Sequence, residues 1–219
     1  MRQHVALLAA LGLGAAACGG GNSHRASPPT SARSLPSPTS DFAPARSACG
    51  SSASTASSAK GGDVASSGDI PDTQAFVDFS APQGFRLRVP EGWARSDSPD
   101  GVRFSDKLNA IQVRLVATPA APTVASAQAN EVPVLQAQAS CVEHVSVTMV
   151  TRRAGPAVLI RYRADAPPDP TTGKVVHDDV ERYEFWRAGT EAILTLSSPQ
   201  GADNVDPWRT STDSFTWTS

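Results

Sequence analysis

Short runs of alternating hydrophobic and polar residues fill the second half of the chain. In GFRLRVP, Phe85, Leu87 and Val89 fall on one side and Arg86 and Arg88 on the other, the period of a half-buried strand. Pro90 and Gly92 then punctuate a turn. GVRFSD places Val102 and Phe104 together, and NAIQVRLVA places Ile111, Val113 and Leu115 together. The pattern changes in TVASAQANEVPVLQAQAS, where Val124, Ala127, Val132, Leu135 and Ala139 recur near helical spacing. This predicts a helix over 124–140, capped by Thr123 and kinked or split by Pro133, which lacks a backbone donor. Alternation then returns in HVSVTMVTRR, AVLIRYRA, VVHDDVERYEFWRAG and TEAILTLSS. Asp206 followed by Pro207 predicts a last helix over 207–215, with Asp206 as its cap. Short connections make the strands antiparallel, so the expected fold is α+β, a twisted antiparallel sheet covered by helices.

The first seventy residues lack this patterning. Arg2, the apolar run VALLAALGL and Ala15–Ala17 read as an export signal over residues 1–17. Cys18 follows the small residues directly. The arrangement resembles a bacterial lipoprotein signal, with Ala15 where the pattern usually has Leu, and the resemblance implies a lipid on Cys18. The alternative is cleavage after Ala17 and release as a soluble protein. Residues 18–70 are rich in Ser, Pro, Gly and Ala, with Leu35, Phe42, Val64 and Ile70 as the large apolar exceptions. Such a composition cannot bury enough surface to offset ordering entropy, and it reads as a disordered tether. Residues 71–219 hold every Trp and both Tyr and carry 14 Lys and Arg against 18 Asp and Glu. That balance gives no field to hold nucleic acid.

The turn GFRLRVPEGW, two further strands, one long helix and a C-terminal helix in GADNVDPWRTSTDSFTW together resemble the PsbP-like fold. They are also similar to LpqN-type lipoproteins of actinobacteria, which join a lipoprotein signal to that fold. The resemblance covers residues 74–219. It implies a binding or accessory role, with no cofactor and no particular ligand.

Candidate chemistry is sparse. The segment lacks a nucleophile elbow, a zinc-protease motif and a phosphate-binding glycine loop. On a strand, His177, Asp179 and Glu181 share a face and form a candidate metal site, although paired charges across strands would produce the same pattern. Asp203, Asn204 and Asp206 resemble part of a calcium loop but lack the EF-hand spacing. Cys141 and His144 would share a face if the helix ran one turn further. With Cys18 acylated, Cys49 and Cys141 remain as a candidate disulfide or as two unpaired thiols. Each of the four Trp residues is a core filler or part of a binding surface.

The expected protein is therefore non-enzymatic and held by the lipid at the outer face of the cytoplasmic membrane, with a head that binds an envelope protein partner. The alternatives are a small-ligand or lipid carrier, with its groove between sheet and helix, and an enzyme of unrecognised type.

Overall fold

The computed structural model describes residues 68–218. The signal segment, Cys18, Cys49 and nearly all of the tether lie outside these residues.

The strands form two antiparallel sheets. Strands β1 (Phe76–Ala81) and β2 (Phe85–Pro90) form a hairpin, and the two-residue β10 (Thr216–Trp217) pairs with the other edge of β2. The larger sheet has seven strands: β3 (Ala94–Ser98), β4 (Gly101–Asp106), β5 (Asn109–Ala117), β6 (Ser140–Arg152), β7 (Gly155–Asp165), β8 (His177–Arg187) and β9 (Thr190–Pro199). Their spatial order is β3-β4-β5-β9-β8-β7-β6. The chain thus builds one meander, crosses to the far edge, and returns strand by strand until β9 closes on β5. The α+β antiparallel architecture expected from the sequence is what the chain adopts.

The crossing segment is helical but not one helix. α1 (Val124–Ser126) leads into a wider π-helical stretch, Ala127–Glu131, and then into α2 (Val132–Gln138). Thr123 caps it as expected, in a reciprocal box with Ser126. Pro133 sits in the first turn of α2, where its missing donor interrupts the ladder, and the helix widens on its N-terminal side. The helix ends at Gln138, short of the predicted Ser140, because Ala139 is already extended.

The seven-stranded sheet is covered on both faces. On one face, Phe104, Ile111, Val113, Leu159, Tyr183, Phe185, Leu194 and Leu196 meet Phe85, Leu87 and Val89 of the small sheet. Trp208 and Phe215, at the C-terminal helix α3 (Val205–Ser214), complete this core. Phe215 is its aromatic centre, 4.8 Å from the Phe185 ring and 5.8 Å from that of Phe85. On the other face, Val158 and Ile160 pack with Ala127, Val132 and Leu135 of the crossing segment. The alternation in AVLIRYRA therefore separates two cores: Leu159 goes to one and Val158 and Ile160 to the other.

Two local features fix the packing, the first within the sheet and the second at α3. Gly101 is buried where β4 meets β5, and a Cβ there would run into the Val113 carbonyl oxygen. Helix α3 begins two residues earlier than Asp206-Pro207 predicted. The residue before it, Asn204, does not cap it and instead ties distant segments together. Asn204 Oδ1 accepts from the Ile70 N–H at 2.7 Å, while Nδ2 donates to the Gly68 carbonyl and to Asn109 Oδ1.

Candidate functional site

The face of the sheet that holds the large core is apolar only over part of its length. Leu159 and Tyr183 are cross-strand partners, and the next pairs outward are Arg161 with Glu181, Arg163 with Asp179 and Asp165 with His177. Period-two alternation carries all of these side chains to one face. The small sheet and α3 cover the apolar part. Beside α3 the polar part lines a cleft of about 390 Å³, walled by Arg152, Arg161, Tyr183, Ser198, Trp208 and Arg209 among others. A second hollow of about 380 Å³ adjoins it, shares Arg161, Asp179, Glu181 and Trp208, and adds His144, Ser146 and Arg163.

The charged rungs are well made. Arg161 Nε donates to Glu181 Oε1 at 2.6 Å, and Arg163 Nε donates to Asp179 Oδ1 at 2.8 Å. The bond to Glu181 raises the pKa of Arg161. Asp179 also accepts the Gly201 N–H on the loop before α3. Tyr183 joins core to cleft. Its ring stacks on Phe185, while its hydroxyl donates to Glu181 Oε2 at 2.7 Å and accepts from Arg152 Nη2 at 3.2 Å. Burial and then the neighbouring Glu181 push the phenol pKa up. Arg152 lies over the Tyr183 ring and reaches Asp213 on α3 at 3.4 Å.

The residues singled out from the sequence fare differently. His177, Asp179 and Glu181 do share a face, but they do not converge as the metal expectation required. Asp179 and Glu181 are each taken by an arginine. His177 instead lies between Asp165 on β7, 2.9 Å from Nδ1, and Glu143 on β6, 3.3 Å from Nε2. Burial pulls the imidazole pKa down, but the two carboxylates outweigh it and the net shift is upward. Both ring nitrogens face acceptors, which is the arrangement of an imidazolium. Among the described residues no group of three or more His, Cys, Asp or Glu is placed to hold a metal ion. His177 lines neither hollow.

Cys141 and His144 are not on a helix but on β6, at two register shifts against β7. Both have positive φ, +53° and +52°. Such bulges re-aim side chains, and His144 here turns to the rim of the second hollow. The candidate bridge between Cys141 and Cys49 involves a residue outside those described. In the calcium-like loop, Asn204 is spent on structure, the Asp203 N–H donates to Asp69, and Asp206 pairs with Arg209 at 3.4 Å. No Trp is exposed: Trp208 is buried at the cleft wall, and Trp93, Trp186 and Trp217 are half-buried.

The cleft itself was not legible in the sequence, because its walls come from β6, β7, β8, β9 and α3. A buried polar group on the opposite face was missed as well. There Arg182 donates to Glu184 at 2.8 Å and to Glu131 of the π-helical stretch at 2.9 Å. Burial raises the Glu184 pKa although Arg182 opposes it.

Against known proteins, no family model matches the sequence, and no curated protein matches it. Some solved structures are similar in fold. Cyanobacterial PsbP of Synechocystis sp. PCC 6803 shares 17% identity over 71% of this chain and 99% of its own, with a TM-score of 0.46. The Ran-binding protein Mog1p of Saccharomyces cerevisiae shares 9% identity over 67% and 97%, at 0.42. A protein of Bacteroides thetaiotaomicron VPI-5482 shares 11% identity over 65% of this chain at 0.43, and this chain spans only 48% of its length. PsbP, which the sequence resembles, is thus among the similar structures.

Proposed function

We propose that this chain is a lipid-anchored envelope protein of the LpqN-type kind, with signal 1–17, a lipid on Cys18, a tether that ends before Gly68 because Ile70 already packs in the core, and a non-enzymatic head that binds a small ligand in the cleft beside α3. The small residues before Cys18 and the tether composition support the anchor. The observation that carries the head's role is the cleft of about 390 Å³ between α3 and the charged rungs. This lies within the size range of small-molecule sites, and its polar groups are fixed in place by strand register. It also lies between sheet and helix, where a carrier's groove is expected.

A protein partner docking over the same cleft is the second reading. Val205, 63% exposed at the cleft wall, favours it by offering an apolar rim.

Two experiments test the proposal. Cys18→Ala should move the protein from membrane to medium, and retention in the membrane would refute the anchor. For the head, native mass spectrometry of the full chain purified from its own envelope should show a bound small molecule. That molecule should be lost when the steric block Ala202→Trp fills the cleft. An identical ligand load in the blocked variant would refute the site.

A further inference from the structure

The cleft's charge differs from that of the domain around it. Residues 71–219 hold more acid than base. Yet Arg152, Arg161, Arg163 and Arg209 line the two hollows against only Asp179 and Glu181. Those two carboxylates are already paired, and the pairing is economical. Arg161 and Arg163 each spend only Nε on their strand partners. Their terminal Nη groups make no hydrogen bond to the described residues. Arg209 on α3 has a single distant contact, to Asp206.

A second observation is independent of the arginines. The Trp208 indole N–H, in the cleft wall, is buried without an acceptor. Buried donors are ordinarily satisfied. Ser198 on β9, 1% exposed, lines the same cleft and adds a hydroxyl. The unspent groups are thus almost all donors, and the complement of such a set is an oxyanion. Beside them, Trp208, Val205 and Ala202 provide an apolar wall.

From this we infer that the cleft takes a small organic anion, its carboxylate or phosphate held by the terminal groups of Arg161 and Arg209 with Ser198, and by Arg163 from the adjoining hollow, and its apolar part against Trp208 and Val205. The inference rests on the cleft being the binding site and adds the chemical class of its ligand. Paired carboxylates behind the arginines fix their direction without consuming their outer donors.

The test is a titration of the 15N-labelled full chain, followed by NMR, with hexanoate, hexyl phosphate and hexan-1-ol. Both anions, or the preferred one of the two, should shift resonances of Ala202, Val205 and Arg209 and bind about tenfold or more tightly than the alcohol. Whichever binds tighter identifies the oxyanion. Arg161→Gln with Arg163→Gln should remove that advantage while hexan-1-ol binding stays unchanged. Arg209→Gln, at an exposed helix position that leaves the fold intact, should weaken the anion several-fold. Equal affinity for alcohol and anions, or anion shifts confined to other arginines such as Arg86 and Arg95, would overturn the inference. If Ala202→Trp still expels a native ligand while the anions show no advantage, the inference falls and the cleft remains the site.

Discussion

Asn204 Oδ1 accepts the backbone N–H of Ile70 across 134 residues of sequence, at 2.7 Å. The same buried amide donates to Gly68 and Asn109. One side chain therefore joins the entry segment, β5 and the start of α3, and so sets where α3 stands over the cleft. Asn204→Ala leaves the Ile70 N–H and the Gly68 carbonyl without a partner and is expected to cost about 2–3 kcal/mol. For a domain of this size that is a fall in thermal midpoint of roughly 5–10 °C, read by calorimetry. A fall of under a degree would mean that the amide is dispensable.

Gly101 tests the packing of the meander. A methyl group there meets backbone, which cannot rotate away. Gly101→Ala should destabilise by about 2–3 kcal/mol in urea denaturation. Gly92→Ala serves as a contrast: a Cβ there meets nothing, and its cost comes from its positive φ alone.

The buried Arg182–Glu184 pair on the opposite face predicts a cost that depends on pH. Arg182→Met leaves Glu184 buried without its cation and should lose about 3 kcal/mol near neutrality. Without Arg182 the Glu184 pKa rises further, so acid protonates the group and relieves the strain. The deficit should shrink between pH 7.5 and pH 5, measured by urea denaturation of variant and parent.

Acid should also stabilise the parent chain. Burial raises Asp178 to about 6, with His177 and Arg103 opposing and Asp179 and Asp165 assisting. The folded state therefore binds that proton more tightly than the unfolded chain. The associated stability is full below the unfolded pKa of 3.8 and is lost as pH rises through about 6. His177, also raised, contributes stability that is full below its unfolded value of 6.5 and is lost as pH rises through the higher folded value. Both have the same sign, so the unfolding midpoint should rise on going from pH 8 to pH 5. Asp178→Asn should be the more stable chain at pH 8, by about 1–2 kcal/mol after solvent screening, with the difference closing towards pH 4.

The sequence displays what depends on alternation alone. Phe85, Leu87 and Val89 are buried as their spacing implies, as are Ile111 and Val113. Strand β3, ARSDS, is exposed throughout and carries no apolar signal; β1 leaves Val77 exposed and has no clean alternation. Their pairing comes from hairpin geometry and from neighbours. The shared face of His177, Asp179 and Glu181 was legible because it follows from a period of two. Their partners were not, because Arg161, Arg163 and Glu143 arrive from other strands in a register that no local pattern records. Arg182 and Glu184 read as surface residues until the crossing segment covers them. The early start of α3 was hidden for a similar reason: Asn204 is committed to residues far away in the chain.

The central claim is that the cleft beside α3 holds a ligand, and the Trp208 indole N–H reports on it most directly. It is buried in the cleft wall without an acceptor, whereas the Trp186 indole N–H donates to the Thr118 carbonyl. The 15N indole resonances of the full chain, assigned with Trp208→Phe, should be followed while small molecules extracted from cells that produce the chain are added. The account predicts that the Trp208 signal moves saturably and that the Trp186 signal stays in place. A stationary Trp208 signal, or one that moves no more than that of Trp186, would contradict it.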